Sequence, residues 1–285
     1  MVALITPFHE GEIDFKTLDE LVNFQLENGI DAIAPVGTTG ECPTLSHEEH
    51  KKVIERVVRA VGGRVPVIAG AGSNSTAEAI DLTSFSKKVG ADATLQVGPY
   101  YNKPTQEGFY QHFKTIAEEV DLPMVLYNIP GRCGAGLTVD TIVRLAEIEN
   151  IVGIKEASGS LDMASEIAVR CDLTILSGDD SLTLPIASVG GKGVISVVAN
   201  IVPADVKAMT DLILEGDFTS ARQWHNKLFT LCRNLLGLAT NPIPIKAAMA
   251  MLNLASEEMR LPMTTLDEDK KTRLRQTLKE YGLLD

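Results

Sequence analysis

The sequence has little positive charge and no clustered basic segment. Its 26 lysine and arginine residues stand against 38 aspartate and glutamate residues, which gives a formal net charge of -12 at pH 7. A chain of this charge is repelled by phosphate backbones and anionic lipid surfaces unless it carries a local basic patch. Because no such patch is present, we expect no binding of nucleic acid or membranes.

Cysteine is scarce, and the four cysteines lie far apart at Cys42, Cys133, Cys171 and Cys232. They show neither the paired spacing of a metal site nor a dense disulfide pattern. No stretch approaches about 18 consecutive apolar residues, and the start MVALITPF lacks a basic leader with a cleavage site. These absences lead us to expect reduced thiols and a cytoplasmic protein.

Of the 285 residues, 45% are hydrophobic, which suits a globular protein with a sizeable core. Short β-rich runs recur, and most are separated by an amphipathic helical stretch such as EEHKKVIERVVRAV at 48–61. The runs are VALIT (2–6), AIAPV (32–36), PVIAG (66–70), ATLQV (93–97), MVLYN (124–128), IVGIK (151–155), LTILS (173–177) and GVISV (193–197). Eight alternating units predict an α/β fold, a closed (β/α)8 TIM barrel, with an open doubly wound sheet as the alternative.

Beyond residue 205 the pattern is helical alone. Helices are predicted at 205–216, 218–237, 243–255 and 267–282, with the turn NPIP at 241–244. We interpret them as the last barrel helix followed by a C-terminal helical appendage packed on the barrel. The predicted division is therefore a barrel over 1–216 and a helical region over 217–285.

The carboxyl ends of barrel strands carry the chemistry of this fold, so the residues after each run are candidates for a site. They are Thr6-Pro7, GTTGE (37–41), GAGSN (70–74), GPYYNKP (98–104), YNIPGR (127–132), KEASG (155–159), SGDD (177–180) and SVVAN (196–200). Small, hydroxylated and aromatic residues dominate this set.

Lys155 stands at the end of the sixth run, in VGIKEASG. A lysine in a barrel mouth lined by apolar strands loses hydration, which lowers its pKa and favours the neutral amine that attacks a carbonyl. This indicates a Schiff-base nucleophile. The alternative is a structural ion pair with Glu156 or with an acid on another strand. Glu156 is a poor partner because neighbours along a strand point to opposite faces.

Three further candidates fit this chemistry, and each also has an ordinary structural explanation. Tyr127 can hold a phenol near the amine for proton transfer, although a buried tyrosine is more often a core residue. GTTGE at 37–41 offers two hydroxyls and accessible backbone N–H groups to an anion, but is equally typical of a turn with a threonine cap. Arg132 can grip a carboxylate in bidentate fashion or lie on the surface.

Neither a metal ion nor an organic cofactor is indicated. Metal-assisted enolate formation needs His and carboxylate ligands at strand ends, whereas four of the five histidines fall in or at the start of helical patterns. The histidines are His9, His47, His50, His112 and His225. Asp179 and Asp180 resemble a metal pair, but Gly-Asp-Asp-Ser before a helix is usually an N-cap. No Walker spacing or dinucleotide fingerprint is present.

Six motifs follow one another over essentially the whole chain. They are GTTGE at 37–41, GPYYNKP at 98–104, YNIPGRCG at 127–134, GIKEASG at 153–159, SGDD at 177–180 and NPIPIKAAM at 241–249. Together they resemble the dihydrodipicolinate synthase family, also called 4-hydroxy-tetrahydrodipicolinate synthases. Several are shared by the wider superfamily of pyruvate-dependent class I aldolases and N-acetylneuraminate lyases, whereas the double threonine and the arginine of YNIPGR are more specific.

The resemblance implies a class I aldolase-type lyase that condenses pyruvate with L-aspartate 4-semialdehyde to give 4-hydroxy-tetrahydrodipicolinate, the first committed step of lysine and diaminopimelate biosynthesis. It implies that Lys155 forms the Schiff base with pyruvate. Tyr127 would relay protons in a hydroxyl chain with Thr39 and Tyr101, the last supplied by the neighbouring subunit. Thr38 and Thr39 would bind the pyruvate carboxylate. No cofactor is implied, and the assembly would be a homotetramer, a dimer of dimers.

The resemblance also implies that Gly178 and Ile195 line the pyruvate pocket through backbone groups, and that Arg132 holds the carboxylate of the second substrate. Two alternative functions are a sister aldolase for sugar acids and a catalytically silent small-molecule-binding barrel. Arg132 argues against the first, because neuraminate lyases generally lack it. The nucleophile with its proton relay argues against the second, because binding alone requires neither.

Many bacterial and plant members of the family that the motifs resemble are inhibited by L-lysine at the dimer interface. This sequence matches the residues of that site in part. The matching residues are His47, His50, Asn74, Glu78 and Tyr100, while Cys42 and Pro43 replace a more usual Ser-Ala pair. A competing structural explanation exists, because Ser46-x-x-Glu49 and Ser75-x-x-Glu78 both have the capping-box pattern. Glu78 cannot easily cap a helix and bind an ammonium group equally well.

Overall fold

The computed structural model describes residues 1–285, and none of its helices combines the length and apolar character that a membrane crossing requires. The strands are β1 (Val2–Ala3), β2 (Phe8–His9), β3 (Glu12–Ile13), β4 (Ile33–Ala34), β5 (Ile68–Gly70), β6 (Ala93–Val97), β7 (Met124–Asn128), β8 (Ile151–Glu156), β9 (Thr174–Ser177) and β10 (Gly193–Val194). All eight predicted runs contain a strand. The antiparallel pair of β2 and β3 was not predicted.

Twelve α-helices accompany the strands. They are α1 (Phe15–Glu27), α2 (His47–Val61), α3 (Thr76–Val89), α4 (Gln106–Glu119), α5 (Pro130–Cys133), α6 (Val139–Leu145), α7 (Leu161–Arg170), α8 (Thr183–Ser188), α9 (Pro203–Glu215), α10 (Phe218–Gly237), α11 (Ile243–Met251) and α12 (Glu268–Tyr281). Short 3-10 turns lie at Cys42–Thr44, Asp180–Leu182 and Val198–Asn200. The four predicted C-terminal helices are present, although α11 ends four residues earlier than the predicted 255.

Two compact units make up the chain. The first unit comprises 1–65 and 196–285, and the second unit comprises 66–195. In the first unit β1 pairs in parallel with β4, and Val2 forms a parallel bridge with Ser196. Helix α10 packs against α9 and α12 there, and α1 packs against α2. The predicted division at residue 216 stays a prediction.

The second unit is built on a parallel sheet of six strands in the order β10-β9-β8-β7-β6-β5. Each strand therefore pairs with its neighbours in the chain, as successive βαβ units require. One face of this sheet packs against an apolar core, to which helices α3, α4, α6 and α7 contribute side chains. Core members include Phe109, Phe113, Leu126, Ile142, Ile154, Ile167 and Ile175. The predicted α/β fold with parallel strands is confirmed, and closure into an eight-stranded ring stays a prediction.

The pairing of β7 with β8 contains a β-bulge near its start. Met124 pairs with Ile151 and Val125 with Gly153, so Val152 has no partner residue across the ladder. Beyond the bulge the register is regular, and Tyr127 lies opposite Lys155. This register places the ends of the two strands that carry candidate residues side by side.

Only one of the two predicted capping boxes forms. The Glu49 N–H donates to Ser46 Oγ at 3.2 Å, and Glu49 Oε2 accepts from the Ser46 N–H at 2.8 Å. At the start of α3 the prediction was wrong, because Ser75 makes no side-chain cap bond. Instead the Ser73 hydroxyl accepts from the Ser75 N–H and donates to the Glu78 carboxylate at 2.7 Å.

Candidate active site

Lys155 and Tyr127 occupy the face of the six-stranded sheet that is opposite to the core. Leu126 and Ile154 are members of the core cluster, and successive side chains along a strand point to opposite faces. Their neighbours Tyr127 and Lys155, which are paired in register, therefore project from the other face. The Lys155 Nζ atom lies 4.3 Å from the centroid of the Tyr127 ring. The predicted pairing of amine and phenol-bearing ring on adjacent strands is thus present.

Burial dominates the electrostatics of Lys155, whose residue surface is 5% exposed. Desolvation lowers the pKa of its ammonium to about 8; the Asp180 carboxylate acts in the opposite direction, and the Arg132 guanidinium lowers the pKa further. At pH 7 about one amine in ten is then neutral, compared with about one in three thousand for an ordinary lysine. Burial therefore favours the neutral form of the Lys155 amine.

This balance predicts how adduct formation depends on pH. The rate at which pyruvate forms a reducible adduct with Lys155 is expected to rise with pH and to level off above about 8, because only the neutral amine attacks. Asp180→Asn removes a charge that raises the pKa and moves the midpoint to lower pH. Arg132→Met removes a charge that lowers the pKa and moves the midpoint to higher pH. Borohydride trapping from pH 6 to about 9.5 measures both shifts, and equal directions in the two variants would contradict the assignment.

Glu156 is not the partner of Lys155, as strand alternation predicted. Its carboxylate accepts from the Asn128 amide at 2.9 Å and from the Ser158 N–H at 2.6 Å. Asn128 Oδ1 also accepts from the Leu137 N–H at 3.1 Å. This buried network joins the end of β8 to the end of β7 and to the far side of the loop that carries Arg132. It holds three candidate segments in one arrangement.

Gly178 leaves the space that the end of the Lys155 side chain occupies. A Cβ atom at position 178 would lie 3.1 Å from Lys155 Cε and 2.6 Å from the Ala157 Cβ. The Gly178 N–H donates to the Glu156 carbonyl at 2.8 Å, which fixes the backbone there. The Ile195 N–H likewise donates to the Ser177 carbonyl at 3.0 Å. These contacts tie both predicted pocket-lining residues to neighbouring strand ends.

Arg132 is exposed and lies in the short helix α5. Gly134 ends this helix in the left-handed region with φ +75°. The Cys133 thiol donates to the Gly98 carbonyl at 3.1 Å, which anchors the helix to the end of β6. The anchored helix presents Arg132 at an exposed position.

Thr38 and Thr39 lie in the first unit, in the loop 37–41. Thr38 is half-buried, whereas Thr39 is buried and accepts a hydrogen bond from the Asn241 amide at 3.0 Å. Val36, just before the loop, and Glu41, its last residue, have left-handed backbone conformations with φ +55° and +56°. A β-branched residue such as valine rarely adopts this conformation, so the surrounding structure must hold it.

Tyr101 belongs to the second unit, in the loop after β6, and points into solvent. It is 90% exposed and has φ +71°. An aromatic side chain so exposed does not contribute to the core of its own subunit.

The residues predicted for lysine binding fall in both units. In the first unit, Cys42 and Pro43 form a 3-10 turn, and His47 and His50 stand in the first turn of α2. In the second unit, the Asn74 amide donates to the Tyr100 carbonyl at 3.1 Å, and Glu78 accepts from Ser73. Glu78 thus has a structural contact at the start of α3, although it is made with Ser73 rather than through the predicted Ser75 capping box.

Across the whole chain, no group of three or more His, Cys, Asp and Glu residues is arranged to hold a metal ion. The Asp179 carboxylate accepts from the Ser181 N–H at 3.0 Å and caps the following 3-10 turn. The N-cap interpretation is therefore confirmed for Asp179.

Comparison with known proteins decides the family. The Dihydrodipicolinate synthetase family matches residues 1–281. The chain belongs to this family. A 4-hydroxy-tetrahydrodipicolinate synthase of Geotalea uraniireducens is 53% identical over 286 residues, covering 100% of this chain and 98% of that one. The crystal structure of dihydrodipicolinate synthase from Aquifex aeolicus has a TM-score of 0.97 at 52% identity, over 99% and 97% of the two chains. That of the enzyme from Cyanidioschyzon merolae with lysine bound has a TM-score of 0.96 at 44% identity, over 99% and 97%.

The predicted family and activity are confirmed. The enzyme is a lyase that condenses pyruvate with L-aspartate 4-semialdehyde through Schiff-base chemistry, in the biosynthesis of lysine and diaminopimelate. The match over nearly the full length of both chains favours this reaction over the sugar-acid aldolase and the silent binding barrel.

Sequence reasoning missed three side chains that hold the candidate groups in place. They are Asn128, Asn241 and Lys246. All three belong to quoted motifs, YNIPGRCG and NPIPIKAAM, but nothing in their spacing showed which distant residue each contacts.

Proposed function

We propose that Lys155 is the Schiff-base nucleophile of the condensation. The observation that carries this assignment is a buried amine, with its pKa lowered to about 8, held 4.3 Å from the centre of the Tyr127 ring. A neutral amine with a neighbouring proton-transfer group meets the two requirements of covalent catalysis by lysine.

The proposed sequence begins with attack of the Lys155 amine on the keto carbon of pyruvate. The resulting carbinolamine takes up a proton on its hydroxyl group and loses water, which leaves a protonated imine. Loss of a methyl proton gives the enamine, and its carbon attacks the aldehyde carbon of L-aspartate 4-semialdehyde. The substrate's own amine then displaces Lys155 as the product cyclises. Tyr127, with Thr39 and Tyr101, is proposed to carry the protons of these steps.

Other residues are proposed to hold the two carboxylates. Thr38 and Thr39 would bind that of pyruvate, since a hydroxyl donates well to an anion. Arg132 would bind that of the semialdehyde, because its exposed guanidinium can form a bidentate pair. Gly178 and Ile195 are proposed to line the pyruvate pocket with their backbone groups.

Tyr127→Phe is expected to lower kcat by about a hundredfold or more, the usual contribution of a positioned proton-transfer group. The ring that packs near Lys155 is kept, so reduction with borohydride in saturating pyruvate should still give the adduct. Steady-state kinetics and peptide mass measure the two effects. Tyr110→Phe is the matched control, because Tyr110 also has a cation over its ring, the Arg144 guanidinium at 3.9 Å. Near-full turnover by Tyr127→Phe would contradict the relay.

The proposed assembly is a homotetramer, a dimer of dimers, on a closed eight-stranded (β/α)8 barrel in the cytoplasm. The 90% exposure of Tyr101 supports an association in which this ring is covered by another subunit. The lysine-bound relative supports a regulatory site for L-lysine that includes Asn74, Glu78 and Tyr100. Cys42, Pro43, His47 and His50 are proposed as the remaining residues of that site.

Trapping with pyruvate and borohydride tests the proposed function directly. The expected result is one reduced pyruvyl group, located by peptide mass on the peptide that contains Lys155. A modified lysine elsewhere, or none, would refute the assignment. Turnover with aspartate semialdehyde, compared with sugar aldehydes, tests the role of Arg132, since Arg132→Met should raise the KM for the semialdehyde selectively.

A further inference from the structure

The segment 241–246, NPIPIK, was predicted as a turn before a helix and as part of a motif shared with the family, but no contact was predicted for it. Both of its ends contact the loop 37–41 within the first unit. Asn241 bonds to Thr39, and Lys246 bonds to Glu41. The contacts lie on either side of Gly40, a position at which even a methyl group would meet the Val36 backbone nitrogen at 2.9 Å. The segment is therefore part of the support of the threonine loop.

The bond between Asn241 and Thr39 has a direction. Asn241 Nδ2 donates to Thr39 Oγ1 at 3.0 Å, and an amide nitrogen carries protons only, so it accepts none. The Thr39 hydroxyl has one proton and two lone pairs, of which one is used by Asn241. Its proton must consequently point to a different acceptor. The amide thus excludes one of the three staggered positions of the hydroxyl proton and leaves the two that point away from Asn241.

The buried ion pair fixes the backbone on which that hydroxyl stands. Lys246 Nζ donates to Glu41 Oε1 at 2.5 Å and to the Thr6 carbonyl at 3.1 Å. The Thr6 hydroxyl in turn donates to the Gly40 carbonyl at 2.7 Å. These bonds hold the loop in the left-handed conformation that Glu41 adopts at φ +56°. With the backbone held, the amide contact keeps the Thr39 proton directed away from Asn241 and available to another acceptor.

We infer that Asn241 is a positioning residue of the substrate site, which fixes the Thr39 hydroxyl as a hydrogen-bond donor to the carboxylate of pyruvate. The inference rests on the proposed function, in which Thr39 binds that carboxylate. It assigns a role in pyruvate binding to the C-terminal part of the chain, far in sequence from every residue predicted to touch pyruvate.

Asn241→Ala removes the hydrogen bond that restricts the direction of the Thr39 hydroxyl proton. It is expected to raise the pyruvate concentration for half-maximal borohydride trapping about tenfold, the effect of one hydrogen bond to a charged group. Asn241→Asp is expected to have a larger effect than Asn241→Ala, because a carboxylate at 241 would accept the Thr39 proton and reverse its direction. The rate at saturating pyruvate should change less than the half-saturation concentration in both variants. A purely structural defect would instead lower the amount of folded enzyme and leave the half-saturation concentration of the folded fraction unchanged.

Asn234→Ala is the matched control, since Asn234 makes the same kind of bond, from its amide to the Thr277 hydroxyl at 2.7 Å. It should leave half-saturation unchanged. In a Thr39→Val background, Asn241→Ala should have no further effect, because the hydroxyl it orients is gone. Unchanged half-saturation in Asn241→Ala, or full additivity with Thr39→Val, would overturn the inference. Failure of the proposed function would give a different result, namely absence of the Lys155 adduct in the unsubstituted enzyme.

Discussion

Lys155→Ala is expected to lower turnover by at least about a thousandfold and to abolish the reducible adduct with pyruvate, because the covalent route is lost with the amine. Steady-state kinetics and peptide mass after borohydride reduction measure the two losses. The matched control is Lys192→Ala, which removes an exposed lysine just before β10 in the same unit. The control should keep both turnover and adduct.

Lys155→Arg separates nucleophilicity from charge. A guanidinium stays protonated at every pH the enzyme tolerates and cannot attack pyruvate, although it keeps a cation at this position. The variant should therefore be as inactive as Lys155→Ala. If Lys155→Arg retained substantial turnover, the positive charge rather than the amine would be the required feature, and the covalent assignment would fall.

Lys246→Met is expected to have the largest effect on stability, a loss of about 3–5 kcal/mol in the free energy of unfolding. The side chains of Lys246 and Glu41 are 0% and 2% exposed, so the substitution strands a carboxylate without its counter-ion. Only the Arg260 N–H, at 3.4 Å, then remains among the hydrogen bonds described for the Glu41 carboxylate. Urea unfolding monitored by circular dichroism measures the loss.

The double variant Lys246→Met with Glu41→Gln tests the cause. Removing the stranded charge should recover part of the lost stability, since a neutral amide costs less to bury than an unpaired carboxylate. Lys16→Met is the control, because Lys16 forms only an exposed pair with Glu20 and should change stability little. A double variant no more stable than Lys246→Met would show that packing, rather than charge, made Lys246 necessary.

Strand positions could be predicted because each strand is a short apolar run bounded by turn residues. β6 and β7 match the predicted bounds at both ends, whereas β10 ends at Val194. The run GVISV continues for three residues, but its end leaves the ladder and leads into the 3-10 turn at Val198–Asn200. Such strand ends are set by hydrogen-bonded pairing with the neighbouring strand. The residues of a single run do not predict this pairing.

The hairpin of β2 and β3 was missed although its signal was present. Glu10 and Gly11 connect the two strands with φ +51° and +83°, a two-residue turn with both φ values positive, for which a polar residue followed by glycine is suited. Each strand is only two residues long, too short for alternation to be recognised beside the longer runs.

The site residues that could be predicted were those with chemistry of their own, such as Lys155, Tyr127 and Arg132. Their supports were not predictable, because Asn241 and Thr39 are 202 positions apart and no local pattern links them. The failed cap at Ser75 has a similar cause. The nearby Ser73 hydroxyl satisfied both the Ser75 N–H and the Glu78 carboxylate, which a four-residue motif cannot reveal.

The bulge at Val152 determines which side chains of β8 point to each face of the sheet. Ile151 and Lys155 are four residues apart, so in a flat strand their side chains would share a face. Ile151 nevertheless belongs to the apolar core together with Ile154, three residues further on, and this odd spacing is possible because Val152 is skipped in the ladder. The strand therefore enters with its apolar side chain against the helices and ends with its amine on the other face. One extra residue, 43% exposed and without chemistry of its own, is what allows the same six-residue strand both to anchor in the core and to present the nucleophile.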